Sequence, residues 1–534
     1  MDEATRRGGV FPTPLPFAKK ACEYLKKMLG KHRQQSDKYR LWDMAAGTGN
    51  LEIFLPKEFQ QYCYLSTLEQ KDVEHLKREF PAATVFQFDY LEDDMTPFSG
   101  HSGFCHHSAE AETPTKLPNK LQDDLANPKI NWIILVNPPY ATAQEAGLTG
   151  KSKEGVSDTT IRKLMHAQGL GAGSRELYVQ FLYRIMNEFK NRKAVLGLFA
   201  PIKYLVSTNY QKFRDNVFHA QFHSGFIFSS ENFGGTSKAK HFPVSFILWD
   251  IQQRKKIQEQ DIQLDILDNT TQKIGTKAIK PEHRSHFLSR WIKRPPCTKI
   301  FPPFSSALKI KLSNVDTRNR VAEGFLASLM CPGNELQNQQ QTAFLSGPQV
   351  SAGALSVTPE NFEQAVVVFA ARRIPKNTWI NHVDQLMKPN RKLSPQFISN
   401  CAVWSLFDTK NQTVSLGEVE YQGRTYQIVN HFFPFSVSGN NSFVANWLLQ
   451  QQLSDEAQAV LDIAEEIYRF YFTHFSEPRD AGWYQIQKGL RQKKQRGATL
   501  GEELFADMKQ RHEQLKGKIL PLLYDYGIAE LPTR

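Results

Sequence analysis

The chain has 534 residues, 40% of them apolar and 12% aromatic, which is enough to bury the cores of two or three domains and excludes a wholly disordered chain. No apolar run reaches the ~18 residues of a membrane span, the first ten residues lack a secretory leader's apolar stretch, and the six cysteines are scattered without CxxC pairing. Those features predict a protein of the reducing cytoplasm without membrane, disulfide framework or zinc ribbon, and the net charge of +12 directs attention to an anionic partner.

Along the first 250 residues, short apolar runs alternate with helical patterns, the mark of repeated βαβ units. Strands are predicted at Tyr39–Met44, Tyr62–Leu68, Thr84–Phe88, Trp132–Val136, Ala194–Phe199, Phe226–Phe228 and Val244–Trp249, with helices at Leu51–Phe59 and Lys71–Phe80. Phe233–Phe242 joins the last two runs as a hairpin. The fold class is therefore α/β, a doubly wound sheet covered on both faces, with ligands at the carboxyl ends of its strands. Two long polar inserts interrupt it. Residues 92–128 carry His101, Cys105, His106 and His107, a cluster without a second ligand group at metal spacing, so no metal is expected. Residues 141–175 are rich in Gly, Ser and Lys.

Beyond residue 250 the rhythm changes. Gln252–Gln260 reads as a linker or exposed helix, and residues 271–320 hold twelve Lys/Arg against two acids, Glu282 and Asp316. Such a window suits phosphate contacts, with a solvated basic face as the plain alternative. Arg284, Arg290, Lys293 and Arg294 are the candidate phosphate ligands. Phe287 and Trp291, interleaved with them, are either wedge and stacking residues or core positions of a helix. Mixed short strands follow to about residue 438, then helices over 453–475 and 501–528. The expected domains are 1–255, 256–450 and a helical 451–534.

The strongest chemical signal is Asn137-Pro138-Pro139-Tyr140, directly after an apolar strand. The exocyclic amine of adenine is a poor nucleophile because its lone pair is delocalised into the ring. The Asn137 amide oxygen and the Pro138 carbonyl can accept its hydrogens and turn the nitrogen towards a tetrahedral geometry. Two prolines make that backbone rigid, and Tyr140 offers a face for an extruded base. The second signal is the strand-to-helix turn Asp43-Met44-Ala45-Ala46-Gly47-Thr48-Gly49, where glycines permit close approach to a ligand. Glu69 lies 20 residues after Gly49, a spacing suited to ribose hydroxyls. Asp89, at a third strand end, suits an adenine amine, with Tyr90 or Leu91 against the ring.

These motifs resemble the S-adenosylmethionine-dependent DNA adenine-N6 methyltransferases of the gamma arrangement, over about residues 8–250. Thr13-Pro14, in Gly9–Pro14, is similar to the segment that meets the methionine end of the cofactor. Asp43–Gly49 matches the glycine motif, with Asp43 expected near the methionine amine and Ala45, Gly47 and Gly49 along the cofactor. Glu69, Asp89 and Tyr90 match the nucleoside-binding positions, and Asn137–Tyr140 the catalytic tetrapeptide, its Asn137 also beside the cofactor. Glu176–Phe181, Ala194–Pro201 and Tyr210–Arg214 resemble later motifs, and Phe233 stands where the family places an aromatic on the flipped base. The chain departs in having Met-Ala-Ala where Pro-Ala-Cys is common, and in the long distance from Asp89 to Asn137.

The resemblance implies a Rossmann-like methyltransferase sheet with a C-terminal mixed α+β target-recognition domain. It also implies S-adenosylmethionine as cofactor and adenine N6 in double-stranded DNA as target. With the first motif at residue 8, no nuclease is expected ahead of it; a separate restriction or defence partner stays open. A monomer on DNA is expected, in a bacterial or phage- or plasmid-borne setting. An RNA adenine methyltransferase and a catalytically silent DNA-binding module are the alternatives. Enzymes that methylate protein glutamine share the tetrapeptide but lack so large a basic C-terminal half.

Overall fold

The computed structural model describes residues 12–30, 37–95, 115–140, 159–233, 241–303, 319–349, 353–436, 442–475, 480–492, 494–495, 498–499 and 501–531. The His101–His107 cluster lies outside the described residues. The chain forms two compact units, Met1–His283 with Thr378–Val383 and Thr533–Arg534, and Arg284–Asn377 with Asp384–Pro532.

In the first unit every predicted strand run lies in one nine-stranded sheet. Its strands are β1 (Tyr39–Asp43), β2 (Cys63–Thr67), β3 (Thr84–Gln87), β4 (Asn131–Val136), β5 (Lys193–Pro201), β6 (Gln221–Ser229), β7 (Pro243–Asp250), β8 (Ile262–Leu267) and β9 (Lys273–Ile279). Their order is β3-β2-β1-β4-β5-β7-β6-β8-β9. The first five are mutually parallel, while β7 runs antiparallel between β5 and β6. The expected hairpin of β6 and β7 is present, paired from Gln221↔Asp250 to Ser229↔Pro243.

Residue alternation explains why both faces are covered. Leu41, Leu65, Ile133 and Leu135 face a core with Phe17, Ala21 and Leu25 of α1 (Leu15–Leu29) and Leu76 of α2 (Gln70–Glu79). Their neighbours Trp42, Tyr64, Ile134 and Val136 face the opposite core. There they meet α3 (Asn119–Ala126), α4 (Thr160–Ala167) and α5 (Leu177–Glu188) through Leu121, Ile161, Met165 and Leu182. A strand buried on both sides needs apolar residues at successive positions, which is how these runs read. From β1 the chain winds outward through β2 and β3, then crosses to β4 and β5 on the other side. The β1/β4 pair is thus the switch point, where an open α/β sheet has its ligand crevice.

Three expectations are corrected. Leu51–Phe59 is not an α-helix but two 3-10 turns, Glu52–Phe54 and Lys57–Tyr62, because Pro56 between them is extended at ψ 137° and lacks an N–H. Gln252–Gln260 contains only a short 3-10 turn at Ile257–Glu259. The sheet also passes the expected boundary at 255, since β8 pairs with β6 and β9 with β8. The first part of the basic window is therefore the edge strand β9, where Lys273 forms a 2.6 Å ion pair with Asp265. Lysines on an edge strand guard it against pairing with another chain.

The second unit has one core. A four-stranded sheet (Leu355–Val357, Ala327–Met330, Ala343–Leu345, Asn411–Gln412, in that order) packs with helices Phe362–Arg373, Pro395–Leu406, Asp455–Phe472 and Glu502–Asp525. Phe344 stacks on Phe369 at 4.6 Å, and Trp404 on His512 at 5.0 Å. The C-terminal helices close this core rather than form the separate region expected at 451–534. Among the described residues no helix is long and apolar enough to cross a membrane.

Candidate active site

Four strand ends converge on the switch-point side of the sheet, and each carries a residue singled out above. Asp43 ends β1, Glu69 follows β2 and caps α2, Asp89 follows β3, and Asn137 follows β4. The tetrapeptide is tied to the N-terminal motif by a side-chain bond. Asn137 Nδ2 donates to Thr13 Oγ1 at 2.9 Å, and Tyr140 donates its hydroxyl to Asn137 Oδ1 at 2.7 Å. The amide is held at both ends, its nitrogen towards Thr13 and its oxygen towards Tyr140. Thr13 is itself placed by Asn50, whose Nδ2 donates to the Thr13 carbonyl at 2.8 Å, and Pro14 caps α1. Pro138 is buried, and Pro139 and Tyr140 are half-buried.

Aromatic rings wall this corner. Tyr140 meets Phe233 at 6.1 Å and 82°, and Tyr178 of α5 at 6.2 Å and 85°. The structure thus brings Phe233 to the tetrapeptide, although at 3% exposure it backs Tyr140 instead of offering an open face. Burial also pushes the Tyr140 hydroxyl well above its ordinary titration, so it stays a neutral donor to Asn137.

The glycine turn closes tightly. Gly49 N–H donates to the Ala46 carbonyl at 2.8 Å, and Gly47 and Gly49 both take positive φ, 53° and 80°. The Ala45 N–H donates to Asp43 Oδ1 at 2.8 Å. Asp43 is 1% exposed and its Oδ2 finds no donor among the described residues; nor do the carboxyl oxygens of Glu52, 2% exposed. Desolvation pushes Asp43 up to about 7 and Glu52 well above its ordinary value, the latter also through Asp43's charge. Asp89 is raised by partial burial and accepts from the Leu91 N–H at 2.9 Å, an Asx turn that shapes this strand end. Glu69 is exposed, as a ribose-binding carboxylate requires.

Tyr90 faces inward. It is 1% exposed, packed edge-on to Trp42 at 5.8 Å and under the Arg184 guanidinium at 4.8 Å, so its ring belongs to the core. Arg184 also donates to the Tyr90 carbonyl at 2.5 Å. Leu91, at 7% exposure, is buried as well. Asn50, Glu52 and Tyr178 were not singled out from the sequence. The one available signal was an acid, Glu52, inside the apolar stretch Leu51–Leu55.

In the second unit, Arg284, Arg290, Lys293 and Arg294 are exposed on a stretch of 3-10 turns, not a helix. Arg294 gives one nitrogen to the carbonyls of Gly353 and Ala354, at 3.0 and 3.2 Å. Phe287 is fully buried and bridges to Met387, so it is a core residue, while Trp291 packs half-buried against the second unit's core. The wedge reading of Phe287 is thereby excluded.

No protein-family model and no curated protein matches the chain. Among solved structures it is similar to a modification subunit assigned to a type I restriction enzyme of Vibrio vulnificus (13% identity, TM-score 0.29, 49% of each chain). It is also similar to the type I restriction enzyme EcoKI M protein (13% identity, TM-score 0.24, 48% of each chain). A third likeness is to the type IIL restriction-modification enzyme MmeI in complex with DNA (9% identity, TM-score 0.36, 99% of this chain and 78% of that one). The chain spans about half the length of the two modification proteins. Likenesses this loose carry no argument about activity.

Proposed function

We propose that this chain transfers a methyl group from S-adenosylmethionine to N6 of an adenine extruded from double-stranded DNA. The observation that supports this most is the orientation of Asn137. With Nδ2 committed to Thr13, the amide presents Oδ1 as its acceptor end beside Tyr140. That is the polarity needed to take a hydrogen from an exocyclic amine.

The residues at the strand ends suit the cofactor. Asp43, with a buried oxygen lacking a donor, suits an ammonium; the Gly47–Gly49 turn suits close approach; Glu69 suits vicinal hydroxyls and Asp89 an amine. When bound, S-adenosylmethionine supplies a methyl group on a sulfonium sulfur, already activated, so the chain needs no covalent intermediate of its own. What remains is positioning. Asn137 Oδ1 and the Pro138 carbonyl accept the amine hydrogens and expose its lone pair, while Tyr140 holds the base from one side. Orientation of this kind is worth roughly 7–11 kcal/mol of barrier. Extrusion costs a few kcal/mol, and the exposed cations Arg284, Arg290 and Lys293 are the candidates to hold the duplex meanwhile.

Two substitution results follow. Thr13→Val removes the acceptor for Asn137 Nδ2 and should lower kcat about tenfold, the worth of one hydrogen bond; Thr13→Ser should restore it. Stopped-flow or single-turnover rates beside calorimetric binding check this. Glu69→Ala and Asp89→Ala should instead weaken cofactor binding by about tenfold each, measured by titration calorimetry. The reading as a whole is tested by mass spectrometry of nucleosides from unmethylated duplex DNA after reaction. N6-methyladenine is the expected product. A methyl group on the amine of cytosine, or on no base, contradicts it.

A further inference from the structure

The mechanism above uses Asp43 but not the second buried acid beside it. Glu52 lies on the 3-10 turn that follows the glycine loop, and its carboxyl faces that of Asp43 in an interior where, among the described residues, neither carboxyl meets a cation. The groups around the pair are accounted for. The nearest lysines act elsewhere, Lys26 on the Phe54 carbonyl at 3.4 Å and Lys120 on the Gln61 carbonyl at 2.9 Å. The thiols of Cys22 on α1 and Cys63 on β2 are kept neutral chiefly by burial, and bond to the carbonyls of Leu51 and Phe59. Glu23 acts on Cys22 from the same helix, and the Ala45 N–H already serves Asp43 Oδ1. Two buried carboxylates that share a single N–H donor repel and stay poorly solvated; one proton between them relieves both penalties.

We propose that Glu52 is a positioning residue held as the neutral acid, donating its carboxyl proton to Asp43 Oδ2 so that Asp43 presents one oriented negative charge to the cofactor's ammonium. This deepens, and rests on, the S-adenosylmethionine reading. Asp43 already accepts the Ala45 N–H on Oδ1, which favours its charged form, whereas neither Glu52 oxygen meets a donor among the described residues, so the proton sits on Glu52. Asp43, pushed up to about 7, then ionises first, and cofactor affinity rises with pH up to about 7 by up to about tenfold per unit. The ligand's α-amino group stays charged over that range.

Two variants test it. Glu52→Gln keeps a donor towards Asp43 and should bind S-adenosylmethionine with the wild-type affinity and pH profile. Glu52→Leu removes the donor, so affinity at pH 7 should fall about tenfold and the midpoint of the pH profile should move upward. A wild-type profile in Glu52→Leu overturns the proposal. A second readout needs no cofactor and serves even if the leucine variant does not fold. An acid whose folded pKa is raised costs stability as pH climbs above its unfolded value of about 4.3, and the loss continues up to the folded one. Glu52→Gln removes that cost, so its Tm should exceed that of the wild type by a margin that widens with pH. Parallel Tm curves overturn the proposal. If the wild type fails to bind S-adenosylmethionine while the Tm margin widens, the cofactor reading and Glu52's role in it fall, and only the shared proton stands.

Discussion

Asn137→Ala should lose methyl transfer by about a hundredfold or more in kcat while cofactor affinity changes little. The substitution removes three things together. The acceptor for the amine hydrogen disappears, the bond that ties β4's end to Thr13 is lost, and Tyr140 loses the oxygen on which its hydroxyl rests. None of these atoms is expected to carry the cofactor's ammonium or ribose, which fall to Asp43 and Glu69. The two parameters should therefore separate cleanly in single-turnover kinetics and calorimetry. Asn137→Asp is a sharper form of the same test. It keeps an acceptor but offers no donor to Thr13, so it should fall between wild type and alanine. Near-normal turnover in Asn137→Ala would remove the amide from the mechanism.

The two glycines of the turn should respond differently to the same change. A Cβ on Gly49 would lie 2.4 Å from a ring carbon of Phe80 and 2.9 Å from a methyl of Leu76, at a φ of 80°. Overpacking and left-handed strain together cost about 2–4 kcal/mol, so Gly49→Ala should lower Tm by on the order of 10 °C. At Gly47 an added Cβ meets nothing nearer than 3.9 Å, and only the φ of 53° opposes it. Gly47→Ala should therefore cost about 1–2 kcal/mol, yet weaken cofactor binding if the turn approaches the ligand closely. Thermal melts with and without S-adenosylmethionine distinguish them. Equal loss of stability at both positions would contradict this division of labour between packing and approach.

The legible part of the fold is the part whose burial leaves an unbroken apolar trace. β1, β2, β4, β5 and β7 are covered on both faces, and each showed as an apolar run, with Asp43, Glu69 and Asn137 at or just beyond the carboxyl ends of β1, β2 and β4. Elements with one solvated face were harder. β8 and β9 alternate as Ile262-Gln263-Leu264 and as Lys273 to Ile279, and the charged stretch before β8 and the lysines of β9 resembled a linker and a phosphate-binding window. Pro56 ended a helical pattern that apolar spacing alone would have continued. At the candidate site the residue types were visible but their directions were not. Tyr90 and Asp89 are neighbours, yet the Tyr90 ring turns inward against Trp42 and Arg184 while Asp89 stays half-buried at the strand end. Phe287 is similar, basic neighbours on either side disguising a core residue. Glu52 was hidden for the opposite reason, because its partner lies nine positions earlier in the chain and only folding sets the two carboxyls face to face.

The central claim is that the strand ends around Asn137 transfer a methyl group to adenine in duplex DNA. It is tested most directly by following labelled methyl groups from S-adenosylmethionine into unmethylated duplex DNA and total RNA, side by side, with Asn137→Ala as control. The account predicts label on DNA, recovered as N6-methyladenine and lost in the variant. Label on RNA alone, or label on DNA that survives Asn137→Ala, would contradict it.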